Sequence, residues 1–438
     1  TAAGAIEAAP VAAAARSGQR LLAAAAADYI PLPEGATLVH LPGRRAIGIS
    51  PRGLPVEMAA DRLAVAAVLP VGYLRTLLPA SRAVPESARL PLYGYTAVAE
   101  RDGQPVVAAL RTDDFGWWAP GRFVEAGLPE AVAAARLALP GNRVVEQLAV
   151  CALDNRCYTA QNTFHRRYEG ALPASPACNA DCLGCISLQP EQVPTPQPRM
   201  RYAPTPEELA GLATYHLSGA EAAIVSFGQG CEGEPLTRGT ALVEATRRIR
   251  AAHPAATIHI NTNGSKPRTL QRMIEAGCNS VRISAISFTD SVFRAYYRPV
   301  GYGLDEVIAC GAAMAAAGGQ VCLNLLTFPG LTDTAEELAR TVEACRGMGV
   351  AQIQWRSLNV DHDWLAAELG ALPAGLGLAA ALRRVRAELP EVEHGNFTRP
   401  AALIWADGEA PRGGATGVWP PGPVVSSDEF AHTVTGVP

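Results

Sequence analysis

Cys178-Asn179-Ala180-Asp181-Cys182-Leu183-Gly184-Cys185 gathers three thiols into eight residues, three residues separating the first pair and two the second. Thiolates are soft ligands suited to iron–sulfur clusters and to zinc. A loop this short can aim three of them at three corners of one cluster and leave a fourth iron open to a substrate or cofactor. A structural zinc site completed by Cys157 or His165 is the competing reading. Such sites, however, close four ligands around the ion and usually show paired Cys-x-x-Cys or Cys/His spacing.

Downstream of the loop, apolar runs alternate with helical patterns, as βα units around a parallel sheet require. Strands are expected at 223–227, 257–261, 280–284, 320–326 and 351–357. Helices are expected between them at 205–217, 236–252, 267–276, 303–317 and 333–348. A short strand just before Cys178 brings the repeats to six. Three short motifs fall at the C-terminal ends of these strands, where parallel barrels place their sites. They are Gly228-Gln-Gly-Cys-Glu-Gly-Glu-Pro235, Asn261-Thr-Asn-Gly264 and Arg282-Ile-Ser284. Each alone has an ordinary explanation: a helix start with Pro235 in its first turn, a plain Asn-Gly turn, and a serine cap.

In this order, one βα unit apart, the four elements resemble the radical S-adenosylmethionine superfamily, and the resemblance covers about 172–360. It implies an α/β fold with a partial (βα)6 TIM-like barrel. It implies one 4Fe-4S cluster on Cys178, Cys182 and Cys185, with S-adenosylmethionine chelating the open iron. Gly233-Glu234-Pro235 is similar to the family's GGEP turn, which binds the cofactor's amino group. Glu234 is the natural acceptor for that ammonium, and Glu232 in the same long turn competes for the role. Asn263 and Ser284 match the family's other cofactor positions. One departure is Gly184, where many members carry an aromatic residue that packs on the adenine.

The activity implied is reductive cleavage of S-adenosylmethionine to a 5′-deoxyadenosyl radical, which takes hydrogen from a polar substrate. A peptide or protein side chain and a small metabolite both qualify, and no protein catalytic residue is singled out. An electron donor such as flavodoxin or ferredoxin is implied by the family. The alternative is a non-catalytic iron–sulfur or zinc protein that uses the same barrel for binding or sensing. No cysteine follows Cys345, so a second, C-terminal cluster is not expected. Cys231, inside the long turn, reads as a packed thiol or a hydrogen donor to the site. Cys278, Cys310, Cys322 and Cys345 read as core residues.

Strand alternation points to the substrate. Side chains of a strand alternate between lumen and helix face. If Ile258, Ile260, Val281, Ile283, Val321, Leu323, Leu325, Ile353 and Trp355 face the helices, then His259, Asn261, Arg282, Ser284, Asn324, Gln354 and Arg356 face the lumen. A barrel interior is ordinarily filled by branched apolar side chains, so Arg282, Asn324, Gln354 and Arg356 are candidate substrate residues and imply an anionic group. Neutralisation of the two arginines by protein carboxylates is the competing reading.

The rest of the chain is organised around this barrel. Residues 1–170 are expected to form an N-terminal α+β accessory domain, with an alanine-rich helix within 1–30. Hairpins are expected at 93–98/106–110 around Arg101-Asp102-Gly103, and at 144–153/157–164 around Asp154-Asn155. Phe115-Gly-Trp-Trp118 reads as a core or interface anchor. The barrel domain is placed at 171–390, and 391–438 as a Pro/Gly-rich C-terminal extension.

With 37 basic and 41 acidic residues in 438, the chain lacks the basic excess of a broad nucleic-acid surface. Lys266 is the only lysine, which counts against Schiff-base cofactors. No apolar run reaches the roughly 18 to 20 residues of a membrane span. Ten cysteines, mostly scattered singly, suit a reducing cytoplasm.

Overall fold

Alanine is the best helix former, yet the segment expected to be helical within 1–30 forms strands. The computed structural model describes residues 6–113, 118, 123, 126–220, 223–370, 372–373 and 375–400. In it, β1 (Ala14–Ser17) and β2 (Arg20–Ala23) make a hairpin with Ser17 opposite Arg20. Gly18 turns the chain at φ 55°, which breaks any helix there. Strand pairing and burial override alanine's propensity, since all four residues of β1 are buried.

The N-terminal region continues with β3 (Ile30–Pro31), β4 (Thr37–Ile49), β5 (Pro55–Glu57), β6 (Leu63–Val68), β7 (Tyr73–Arg75), β8 (Leu78–Pro79) and β9 (Ser81–Ala83). It ends with β10 (Tyr95–Arg101), β11 (Gln104–Val107) and β12 (Ala109–Arg111). The main sheet runs β3-β11-β10-β6-β4-β5, with β9 also on β4. The first expected hairpin is present: β10 and β11 pair antiparallel, Arg101 opposite Gln104, around Asp102 and Gly103 at positive φ. The second is not. Its residues form α2 (Arg143–Leu153) and α3 (Tyr158–Phe164), preceded by α1 (Leu128–Ala138). The Asn142 side chain caps α2 by accepting from Val144 and Val145 N–H. Val144, Val145, Leu148, Ala149, Cys151 and Ala152 form its buried helical stripe, which the β-branched start disguised as a strand.

The barrel comprises β13 (Glu169–Leu172), α4 (Pro206–Leu217), β14 (Ile224–Phe227), α5 (Gly239–Ala252), β15 (Thr257–Thr262), α6 (Pro267–Glu275), β16 (Ser280–Ala285), α7 (Asp290–Tyr297), α8 (Leu304–Ala316), β17 (Gln320–Thr327), α9 (Ala335–Met348), β18 (Gln352–Ser357), α10 (His362–Leu369), α11 (Leu378–Glu388) and β19 (Glu393–Gly395). Its strands lie in sequence order, β13-β14-β15-β16-β17-β18-β19, all parallel. The count is therefore seven rather than six. β19 lies in the stretch expected to be a tail, and His394 within it and Asn396, Phe397, Thr398 and Arg399 after it are buried. Residues 401–438, with the Pro/Gly-rich motifs, lie outside the described residues.

The strand parity is as expected. Ile258, Ile260, Val281, Ile283, Val321, Leu323, Leu325, Ile353 and Trp355 are all 0 % exposed and pack with the helices in one continuous core. Of the expected aromatic anchor, Phe115 to Trp117 lie outside the described residues. Trp118 stacks on Phe397 at 5.1 Å and on Phe123 at 5.8 Å, bridging the N-terminal region to the segment after β19.

Candidate active site

The thiol loop is held on three sides. Its backbone pairs with the end of α7: Asp181 N–H donates to Tyr297 C=O (3.0 Å), Leu183 N–H to Tyr296 C=O (2.9 Å), and Val300 N–H to Asn179 C=O (2.9 Å). Gln189 donates to the carbonyls of Leu183 (3.1 Å) and Cys185 (3.0 Å), closing the loop on itself. Cys178, Cys182 and Cys185 are each partly buried. Burial raises the thiol pKa of Cys178, and burial with the other two thiols nearby raises that of Cys182 well above its ordinary value. The three sulfurs thus share one neighbourhood.

Three thiols on one short loop are a donor set that a 4Fe-4S cluster with one open iron could take. Among the described residues no three His, Cys, Asp or Glu side chains stand together as a single-ion site. Cys157, a fourth ligand in the zinc reading, lies beside Cys151, and His165 lies at the end of α3 beside Arg167. At Gly184, a Cβ would come within 2.6 Å of the Tyr296 hydroxyl, so this buried tyrosine occupies the space an aromatic residue at 184 would enter. Nothing in the sequence marked Tyr296, because α7 is short and distant from the loop along the chain.

The turn after β14 lies against this loop. Gly233 N–H donates to Ser175 C=O (2.7 Å) and Glu234 N–H to Ala177 C=O (2.9 Å). A side chain at 233 would overlap the Ala177 carbonyl, so only glycine allows the approach. Glu234, the expected acceptor for an ammonium, and Glu232, its competitor, are both buried and bonded within the protein. Glu234 accepts from Thr262 Oγ1 (2.6 Å), Asn263 N–H (2.8 Å) and Leu236 N–H (3.0 Å). Glu232 accepts from the N–H groups of Ala174 and Ser175 (2.8 Å each) and Gln229 (2.6 Å). Burial pushes the Glu234 pKa up to about 7 and that of Glu232 to about 8, against the pull of these donors. Asn263 also donates to the Asn179 side chain within the thiol loop (3.0 Å), which sequence reading missed. Pro235 follows in a 3-10 turn, with the Glu234 side chain as its cap.

The lumen is polar as the parity implied. At its base His259 bonds to Ser280 (2.7 Å) and Asn261 (3.0 Å), and burial with Arg282 nearby pushes its pKa down to about 3. Ser284 accepts from Asn324 Nδ2 (2.9 Å). Gln354 Oε1 accepts from both Arg282 Nη1 (3.0 Å) and Arg356 Nη2 (3.5 Å), and Arg356 also donates to the Asn396 carbonyl. Arg282 Nε, Arg356 Nε and Asn324 Oδ1 are buried without a partner among the described residues. Burial lowers the pKa of both arginines, that of Arg356 to about 9. Glu169 is the acidic group that favours the charged form of both, and it accepts from Ser226 at 2.6 Å.

The N-terminal region covers the C-terminal ends of β17 and β18. Arg75, 1 % exposed, donates to the carbonyls of Thr327 (3.4 Å) and Leu358 (3.2 Å). Arg44 pairs with Asp361 at 2.7 Å and Arg16 with Asp363 at 2.6 Å. Asp113 accepts from Asn396 N–H (2.9 Å) and pairs with Arg399 (3.2 Å) beside Arg356.

Residues 172–343 match the family model described as the radical SAM superfamily, so the chain carries a radical SAM domain over this stretch. Enzymes of that superfamily use a 4Fe-4S cluster and S-adenosylmethionine. Solved structures similar to the chain include Streptococcus suis SuiB bound to the precursor peptide SuiA, at 13 % identity over 57 % of this chain and 50 % of that one, TM-score 0.33. Methylornithine synthase (PylB) is similar at 15 % identity over 59 % and 76 %, TM-score 0.35. HydG, a maturase of the [FeFe]-hydrogenase, is similar at 13 % identity over 61 % and 62 %, TM-score 0.34. The chain spans about half the length of the first of these. At TM-scores this low the likenesses carry no argument about what the chain does. No curated protein matches the chain. No helix among the described residues is long and apolar enough to cross a membrane.

Proposed function

We propose that this chain carries out radical chemistry on a polar, anionic substrate. Cys178, Cys182 and Cys185 would hold one 4Fe-4S cluster, and the 232–235 turn with Asn263 and Ser284 would hold S-adenosylmethionine. Together these two groups supply, after one-electron reduction, a 5′-deoxyadenosyl radical able to remove an unactivated hydrogen. The observation that carries the reading is the single assembly of thiol loop, glycine turn and β15 end, tied by Asn179, Gly233 and Glu234.

The chain's own residues hold the reacting parts in line and exclude water. Glu234 and Glu232 act by fixing the turn, which leaves its backbone carbonyls to meet the cofactor's ammonium. Arg282 and Arg356 bind the substrate's anionic group across Gln354, and Asn324 Oδ1 accepts a hydrogen bond from the substrate. Glu169 is the acidic group near both lumen cations, while Asp113, the other acidic group near Arg356, is already paired with Arg399, and a buried cation short of counter-charge is costly. A carboxylate or phosphate relieves that, on a peptide side chain or a small metabolite. Flavodoxin or ferredoxin is the electron donor in this reading, and the reducing cytoplasm the location.

The test is anaerobic incubation of reconstituted, dithionite-reduced protein with S-adenosylmethionine. Release of 5′-deoxyadenosine is expected. A fully loaded cluster that releases none would move the chain to the non-catalytic, binding or sensing reading.

A further inference from the structure

We propose that Arg199 tunes the reduction potential of the cluster through a hydrogen bond to the Cys185 sulfur. The proposal rests on the cluster assignment above. Arg199 Nη2 lies 3.4 Å from Cys185 Sγ, within reach of an N–H···S bond. Its Nε donates to Ser187 Oγ at 3.0 Å, which fixes the guanidinium plane. Ser187 in turn donates to the Glu232 carbonyl (2.9 Å) and lies 3.5 Å from Cys185 Sγ. The backbone holds the same geometry: Arg199 N–H donates to Ser187 C=O (3.0 Å), and Met200 N–H to Cys231 C=O (2.8 Å). The arginine is thus clamped between the thiol loop and the glycine turn.

No carboxylate among the described residues lies within ion-pair distance of this guanidinium. Its charge therefore acts on the thiol loop, where its nearest sulfur is that of Cys185. Here the Cys185 thiol stands in for the thiolate that would ligate iron. A thiolate keeps its acceptor character when it binds a cluster, so the N–H···S bond persists in the loaded state. Reduction adds one negative charge to the cluster and its sulfurs. A fixed cation and donor at one sulfur stabilise that reduced state more than the oxidised one, and so raise the potential. Arg199 is a positioning residue: it touches the ligand, not the reacting atoms. The electron itself comes from an external low-potential donor, and no bond is made or broken in this step.

The experiment reads potential, not turnover. Wild type, Arg199→Lys, Arg199→Met and Ser187→Ala are reconstituted anaerobically, assayed for iron and acid-labile sulfide, and titrated with dithionite under EPR without S-adenosylmethionine. The midpoint is expected to fall from wild type through Lys to Met, with Ser187→Ala between wild type and Met and cluster content unchanged. Equal midpoints in loaded Arg199→Met and wild type would overturn the proposal. So would a Lys variant that loses cluster while the potential of the remainder stays at the wild-type value, since that is a merely structural role. Should Met fail to load, Lys and Ser187→Ala still decide. Wild type that binds no 4Fe-4S cluster defeats the functional reading itself, a result separate from any difference between loaded variants.

Discussion

Replacing Arg356 with methionine should stabilise the protein when no ligand is bound. Burial, then repulsion from Arg282, lowers the Arg356 pKa from 12.5 to about 9, against weaker help from Glu169 and Asp113. That drop corresponds to roughly 5 kcal/mol disfavouring the ion in the folded state. On the other side, the variant loses the bond to the Asn396 carbonyl and the long contact to Gln354 Oε1. Leaving a buried carbonyl unpaired costs about 1–3 kcal/mol. Relief of the uncompensated charge therefore wins, by about 2–4 kcal/mol at most. At about 2–4 °C per kcal/mol for a domain of this size, the unfolding midpoint should rise by several degrees. Differential scanning calorimetry of the apo protein measures this directly. Malonate should raise the wild-type midpoint more than chloride at equal ionic strength, and should not do so for Arg356→Met. A variant that melts below wild type, with malonate inert on both, refutes the anion-seat reasoning. With substrate in hand, Arg356→Ala should lower product formation far more than uncoupled release of 5′-deoxyadenosine.

Alanine at Cys178, Cys182 or Cys185 should abolish the brown chromophore and acid-labile sulfide, whereas Cys345→Ala, a core change at a residue 1 % exposed, should leave both. Glu234→Gln should leave cluster content unchanged and raise uncoupled release of 5′-deoxyadenosine relative to product, read by chromatography of both, because one amide oxygen cannot replace the carboxylate that Thr262, Asn263 and Leu236 address. Burial lowers the His216 pKa to about 4. The fold therefore favours its neutral form, and its contribution is full above the unfolded value near 6.5 and is lost as pH falls from there towards 4. His216→Gln should reduce the acid slope of stability by about one proton in that window, read from urea midpoints against pH.

What the sequence revealed follows the range of the forces involved. Strand parity depends only on neighbours two residues apart, so the lumen set from His259 to Arg356 could be read directly. The order of the barrel strands was legible because apolar runs and their glycine or asparagine ends repeat locally. The alanine-rich start was not: β1 is a strand because it pairs with β2 and β8, a contact that reaches Leu78 and Pro79. The Val144-Val145 start of α2 read as β because the Asn142 cap competes only once the helix docks. The seventh strand failed for a similar reason. β19 has three residues and no pattern of its own, and is fixed by pairing with β18 and by Asp113 from the N-terminal region. In the site, the residue types at the turn were visible, but the direction of the Glu232 and Glu234 carboxylates was not. It depends on which unpaired N–H groups the fold brings near.

That direction matters to the chemistry. Glu232 grips the N–H groups of Ala174 and Ser175, which lead into the thiol loop. Glu234, two residues on, grips Thr262 and Asn263 at the end of β15. Asn263 then returns to Asn179, one residue past the first thiol. The three contacts close a triangle whose corners are the thiol loop, the glycine turn and the asparagine end of β15, each supplied by a different βα unit. A ligand bridging those corners needs them fixed to within a fraction of an ångström, since a misplacement of about 1 Å can cost two orders of magnitude in rate. Two carboxylates that faced the ligand directly would bind it more strongly but leave the corners free to drift. Turned inward, they hold the corners in register through several hydrogen bonds each, most of them from backbone N–H groups that would otherwise be buried unpaired. On this argument the triangle governs alignment rather than affinity for the cluster. Damage to it should appear first in the partition between coupled and uncoupled cleavage.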